Sequence, residues 1–444
     1  MTPPPPPLVT EPALEGAGVA GAGAEIDLGH SLGPSHLETL LAKGRVKATL
    51  AMLGPAFVAS IAYVDPGNFA TNFEGGARFG YLLLWVVLAA NLIAMLIQYL
   101  SAKLGIVTDR NLPELCRERF PRALTWGLWV QAEIIAMSTD IAEFLGAALG
   151  LNLLFDVPLL PAGLITGLIA FAILELQTHG FRRFELAISG LLAIIFAGFL
   201  YEALRIGPSA SGSLHGLIPG LRGSGSLYLA VGIIGATVMP HVIYLHSALT
   251  KGRVPCRDDA ERGRVLRFER TDVMIALGLA GIINMAMLAV AAKLFHVPGL
   301  EDLSSIPQFH AQFGKLVGGG AALAFAVALL ASGASSSSVG TYSGQVVMAG
   351  FINVRVPLLL RRAVTMIPAI VVLAIGVNPT SALVFSQVVL SFGIPFALIP
   401  LVTLTSKADV MGVHVNRRLT TATAFALAGL IVALNVFLIY QQVF

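Results

Sequence analysis

The stretch YVDPGN, residues 63–68, interrupts an apolar run. TLAMLGPAFVASIA (49–62) precedes it, and the chain soon turns apolar again. A carboxylate, a helix breaker, a glycine and an amide are ordinary in a water-exposed loop and costly inside a membrane span. The composition places them in a span. The 444 residues are 56% hydrophobic and 12% charged, against roughly 25% charged in soluble proteins, and mean hydropathy is +0.81. The charges fall in clumps between apolar stretches of membrane-crossing length. The chain therefore reads as a polytopic all-α membrane protein with lipid as one of its solvents. Cys116 and Cys256 both fall in charged loops and suggest no disulfide framework.

The segment before residue 46 is Pro/Gly/Ala-rich and reads as a disordered cytoplasmic tail. It has no basic region followed by an apolar one, so it is not expected to act as a signal peptide. The apolar portion, 46–444, divides into eleven expected spans: 48–79, 81–107, 123–150, 158–177, 184–206, 226–250, 271–296, 317–350, 357–377, 379–405 and 419–441. With the amino terminus inside, 23 of the 28 Lys and Arg residues fall in cytoplasmic segments. The positive-inside rule then puts the carboxyl terminus outside.

A second interruption lies in VGIIGATVMPHVIYLHSAL, 231–249, where Gly235, Thr237, Pro240 and His241 break the sixth span as YVDPGN breaks the first. Paired broken helices at matching places in two halves point to an inverted-repeat transporter with its site near the midplane. The repeats are expected at about 48–206 and 226–405, with 419–441 as an extra helix. Pro66 and Pro240 donate no N–H and clash with the carbonyl one turn earlier. The carbonyls freed near 63–64 and 236–238 need partners. A cation would satisfy them.

The side chains at the two breaks narrow the choice of cation. Asp65 offers a hard anionic oxygen and Asn68 a neutral one, a set that alone suits magnesium or calcium. Met239 adds a soft sulfur, which favours manganese, iron or cobalt. Most of the eleven methionines are expected to pack cores; Met239 is set apart by its place directly before the breaking proline. Asp65 is also expected to cap the half-helix that follows it, which is compatible with ligation.

LGPAFVASIAYVDPGNFATN (53–72) and GATVMPHVIYLHSAL (235–249) resemble the two signature segments of the Nramp family of proton-coupled divalent-metal transporters. The resemblance covers 48–441. It implies a LeuT-like 5+5 inverted repeat with broken helices 1 and 6, and transport by rocking helices 1, 2, 6 and 7 against the rest. It implies Asp65, Asn68 and Met239 as metal ligands, with the carbonyls of Ala62 and Ala236. Some family members that carry magnesium or aluminium lack the methionine, so the resemblance, with the methionine kept here, points to manganese and ferrous iron. Gln387 is either a state-dependent ligand, a gate residue or an interhelical hydrogen bonder. Asn91 and Asn284, mid-span, are candidates for an outer gate with it, although interhelical amide bonds are ordinary.

In the third span Glu133, Asp140 and Glu143 fall within roughly an 80° arc of one helix face. Three carboxylates there suit a proton route. His241, which titrates near neutrality when unperturbed, is a natural member. Arg361 and Arg362 either flank the ninth span in the positive-inside manner or, as the resemblance implies, pair with these acids. The expected route passes a proton from Asp65 to Asp140 and Glu143 when metal binds. SGASSSSVGTYSG (332–344) is expected to serve tight helix packing, His246 to cap or bond locally, and 251–270 to be a cytoplasmic charged loop.

Three rival functions are weaker. A membrane metalloenzyme would want ligands on one helix face, whereas His241 and His246 are five apart, about 140° round the helix. A sodium-coupled amino-acid or organic-solute symporter shares the repeat plan, but Asp65 would repel a substrate carboxylate and Met239 would have no role. A passive channel does not need two broken helices around a buried acid. The expectation is a monomeric plasma-membrane importer of Mn2+ or Fe2+ coupled to protons, with lipid around it, no nucleic-acid partner, no resident cofactor and no enzymatic activity.

Overall fold

The computed structural model describes residues 52–176, 181–300, 303–354 and 356–443, with positions 39, 42 and 44. Apart from positions 39, 42 and 44, the expected tail lies outside the described residues. All regular elements among the described residues are helical. Helix α1 (Pro55–Ile61) passes through a 3₁₀ turn (Ala62–Val64) to Asp65, and α2 (Pro66–Phe79) resumes the span. After a second 3₁₀ turn come α3 (Leu84–Thr108), the short α4 (Leu112–Arg119), α5 (Arg122–Phe155), α6 (Leu159–Glu175) and α7 (Phe181–Ile206). A short α8 (Ala210–His215) leads to α9 (Gly223–Thr237) and α10 (Pro240–Thr250), broken at Val238–Met239. The chain continues with α11 (Asp259–Phe295), α12 (Ile306–Leu316), α13 (Gly319–Ile352), α14 (Leu358–Ala374), α15 (Pro379–Thr405), α16 (Ala408–Met411) and α17 (Arg418–Val443).

Eight stretches are long and apolar enough to cross a membrane, with Pro66–Thr108 counted as one, and Pro55–Val64 and Leu159–Glu175 are shorter apolar helices. Proline at the first helical position starts α1, α2, α10 and α15, where its missing N–H costs nothing. Left-handed Asp109, Asp156 and Asn353 end α3, α5 and α13. One expectation is corrected. The charged segment 251–270 is mostly helix, because Asp258 accepts from Glu261 N at 2.7 Å and starts α11 at Asp259, a dozen residues before the apolar run.

Packing follows the inverted-repeat plan. Helix α2 lies along α11 as α10 lies along α3, and α1 lies against α7 as α9 lies against α15. At the centre α5 packs most extensively against α13. Small residues permit it: a Cβ on Gly333 would come within 2.6–2.8 Å of Ala147, and one on Gly150 within 2.8–2.9 Å of Leu330.

Two prolines inside α15, Pro395 and Pro400, free the carbonyls four residues earlier. Ser391 O accepts Asn435 Nδ2 from α17 at 3.0 Å, and Ser391 Oγ donates to Asn435 Oδ1 at 2.8 Å. Phe396 O receives the Tyr244 hydroxyl at 3.5 Å. The extra helix thus braces one that contains two prolines. Burial pushes the Cys116 thiol well above its usual range, and burial also raises that of Cys256.

Candidate metal centre

The two helix breaks meet. Asp65 is the N-cap of α2, and its Oδ1 accepts Asn68 N at 2.7 Å and Asn68 Nδ2 at 2.8 Å. The same Nδ2 donates to Ala236 O in the second break at 3.0 Å. One amide therefore bridges an anionic oxygen of the first break and a freed carbonyl of the second. The other carboxylate oxygen, Asp65 Oδ2, is buried with no hydrogen-bond partner. An orphaned carboxylate oxygen in a dry interior is costly unless something positive meets it. Ala62 lies in the 3₁₀ turn and Met239 caps α10, both fully buried.

Gln387 of α15 lies over both breaks. A Cβ on Gly67 would overlap its side-chain amide, and one on Gly235 would overlap its backbone carbonyl. Glycine is therefore required at both positions by close approach. Gln387 Oε1 is buried without a partner. Asn284 Nδ2 donates to Tyr63 O at 2.6 Å, and its Oδ1 accepts Asn72 Nδ2 at 2.7 Å. Asn91 lies against Gly281, one turn away on α11. Asn91, Asn284 and Gln387 are thus all buried, but no hydrogen bond among the described residues joins Gln387 to either asparagine.

The acids of α5 share a face, each against a different part of the α13–α14 wall. Glu133 forms a two-point ion pair with Arg361, at 3.2 and 2.9 Å. Arg361 fits because Gly344 leaves room for its guanidinium. Asp140 lies within electrostatic reach of Arg362 and Arg361. Glu143 lies against Gly340, within reach of Asp140, Arg362 and Asp65. His241 Nδ1 is 3.3 Å from Thr139 Oγ1, and among the described residues no hydrogen bond joins it to a carboxylate. A cavity of about 330 Å³ lined by Arg361, Lys251, Gln345 and Tyr342 opens beside the Arg361 end.

The serine-rich segment of α13 does more than pack. Ser332 donates to Val64 O at 2.6 Å, and Ser343 to His241 O at 2.7 Å. Each satisfies a carbonyl beside a break. Ser337 and Thr341 hold Arg362, with Arg362 Nη2 2.6 Å from Ser337 Oγ. His246 is likewise not a local cap. Gln98 Nε2 donates to the Tyr63 hydroxyl at 2.5 Å, and Gln98 Oε1 lies 2.9 Å from His246 Nδ1. His246 Nε2 stands 3.0 Å from Glu269 Oε1, out of line for a hydrogen bond. One turn along α11, Asp272 accepts Gly54 N and Ala56 N at 3.2 and 3.0 Å, capping α1 from outside.

Along α2, Phe69 and Phe73 join an aromatic cluster: Phe73 lies 5.1 Å from Phe325 and 5.6 Å from Phe309 between ring centroids, and Phe69 lies 5.2 Å from Phe199. Asp65 and Asn68 have no accessible surface. Among the described residues no group of three or more His, Cys, Asp or Glu side chains stands ready to hold a metal. The donors at the breaks are instead one carboxylate, amides, a thioether and carbonyls.

Comparison with known proteins agrees with this architecture. The chain is 53% identical over 396 residues to the divalent metal cation transporter MntH of Deinococcus radiodurans, covering 89% of this chain and 91% of that one. It is 54% identical to MntH of Bacillus subtilis, covering 88% and 92%. A crystal structure of a mutant Eremococcus coleocola manganese transporter superposes with a TM-score of 0.81 at 35% identity, over 90% of this chain and 88% of that one. The fold alone is shared with Mhp1, a nucleobase-cation-symport-1 family transporter, at a TM-score of 0.60 and 14% identity. The family model described as natural resistance-associated macrophage protein-like matches residues 56–441. The chain therefore belongs to the Nramp family: it is a multi-pass membrane transporter and not an enzyme.

Proposed function

We propose that this protein imports a divalent transition-metal ion, Mn2+ or Fe2+, together with protons, holding the ion between the breaks of its first and sixth spans. The observation that carries the reading is the buried, unpartnered Asp65 Oδ2 beside an amide that joins the two breaks. A cation seated there would take Asp65 and, after rotation of the Asn68 amide, its Oδ1. The carbonyls of Ala62 and Ala236 and the sulfur of Met239 complete a set that suits manganese and iron over calcium. Gln387 joins or leaves the set as α15 moves.

In this reading Asp65 loses its proton as the ion arrives, and Glu143 with Asp140 receives it. Arg362, Arg361 and Glu133 lead it on towards the cavity beside Lys251. His241 orders the junction through Thr139. The basic linkers put the amino terminus in the cytoplasm and the carboxyl terminus outside. An amino-acid symporter on the same fold is disfavoured, because Asp65 would face the substrate carboxylate.

Proteoliposomes with an internal pH dye and a negative-inside potential test this. Manganese uptake should be accompanied by internal acidification, and both should vanish in Asp65→Ala. Manganese entry with no acidification would refute the coupling, and entry unchanged in Asp65→Ala would refute the site.

A further inference from the structure

We propose that an anionic glycerophospholipid occupies a furrow between α5, α15 and α17, with an acyl chain in the furrow and its headgroup on a basic rim. The furrow encloses about 560 Å³ and is lined almost wholly by apolar side chains, among them Phe120, Leu128, Phe396, Ile399, Val436 and Ile439. A second hollow of about 480 Å³ continues it past Phe392 and Phe396 towards Val130 and Ile134. Its walls include exposed residues: Val130 is 47% exposed, Phe396 50% and Val436 60%. Pro395, Pro400 and Asn435, which is hydrogen-bonded to Ser391, stand in its wall. A hollow of this size on a lipid-facing side is filled by hydrocarbon.

The rim decides which lipid. Phe120, at one end of the furrow, sits between Arg119 and Arg122. Arg119 pairs with Asp409 at 2.7 Å, which ties the corner between α4 and α5 to the linker joining α15 to α17. That linker carries Lys407, four residues past the lining residue Thr403, and Arg122 falls between the lining residues Phe120 and Leu124, so two exposed cations flank this end of the furrow. Asp409, the acid of this linker, is already engaged by Arg119. Neither cation has an ion pair among those seen in the described residues. Trp126, one turn above Arg122 on α5 and 44% exposed, packs edge-on with Trp129 at 5.3 Å and marks the headgroup level. Basic residues at the mouth of an apolar groove between membrane helices suit an anionic headgroup, each contributing through the surface potential and direct pairing. In the orientation proposed above this is the cytoplasmic leaflet; the lipid site itself does not depend on what the protein transports.

Native mass spectrometry of the full chain, delipidated in detergent and titrated with dioleoyl phosphatidylglycerol or dioleoyl phosphatidylcholine, tests the proposal. One phosphatidylglycerol should stay bound, roughly tenfold or more tighter than phosphatidylcholine. The surface double variant R122A/K407A should bring that preference within about twofold. V436W, which fills the furrow, should weaken retention of both lipids. Thermal melting of each variant separates loss of binding from loss of fold. Equal retention of the two lipids by the unmodified chain would overturn the proposal, as would an undiminished preference in R122A/K407A. A two-chain complex that buries the furrow and excludes phosphatidylglycerol would also overturn it, assigning the face to a second copy.

Discussion

Asn68 Nδ2 lies 2.8 Å from Asp65 Oδ1 while also donating to Ala236 O at 3.0 Å, so a single side chain holds the two broken helices together where both lack helical hydrogen bonds. A donor group stands where two acceptors converge, which is the electrostatic arrangement a cation would replace. Asn68→Ala should therefore raise the KM for manganese at least about tenfold, equivalent to one charge-assisted hydrogen bond. Uptake against manganese concentration in proteoliposomes measures it, and an unchanged KM would remove Asn68 from the site.

Gly67 touches the Gln387 amide so closely that a methyl group cannot be added without displacement. Gly67→Ala should reduce uptake and cost about 1–3 kcal/mol of stability. Adding Gln387→Ala should restore melting temperature towards that of Gln387→Ala alone, because the clash is then gone. Strictly additive losses would show that the two side chains are not the cause.

Glu143 is buried beside Asp140, and Glu133 is paired with Arg361 at the far end of the same face. Glu143→Gln should preserve manganese binding and abolish metal-driven acidification. Arg361→Ala should slow acidification more than it weakens binding, since it leaves Glu133 without its partner. Binding calorimetry beside a pH-dye assay reads both, and intact acidification in Glu143→Gln would mean that protons take another way.

Asn435 satisfies the Ser391 carbonyl that Pro395 leaves free. Asn435→Ala should lower stability by about 1–3 kcal/mol, seen as a lower melting temperature in detergent, with the KM for manganese little changed. A shifted KM at unaltered stability would place α17 in the transport cycle instead of in bracing.

Much of this was legible because its causes are local. Pro66, Gly67 and Pro240 break helices wherever they occur in an apolar run, and the bounds of α5, α13 and α15 follow from where apolar residues end. The roles of Ser332, Ser337, Ser343 and His246 were not legible, because their partners are remote in sequence: Ser332 meets Val64, and His246 meets Gln98. Small hydroxyl residues carry the same pattern whether they pack or hold an arginine. The first turns of α11 were hidden because charged residues looked like a loop, although Asp258 before Glu261 was a readable cap. The phenylalanine cluster gathers Phe69, Phe199, Phe309 and Phe325 from four helices, a convergence no single helical period reports.

The most direct test compares manganese, calcium and magnesium uptake into proteoliposomes for the unmodified chain, Asp65→Ala and Met239→Ala. The expected result is manganese uptake lost in Asp65→Ala, with calcium or magnesium admitted by Met239→Ala. Uptake unchanged in both variants would contradict the assignment of the metal site to the two helix breaks.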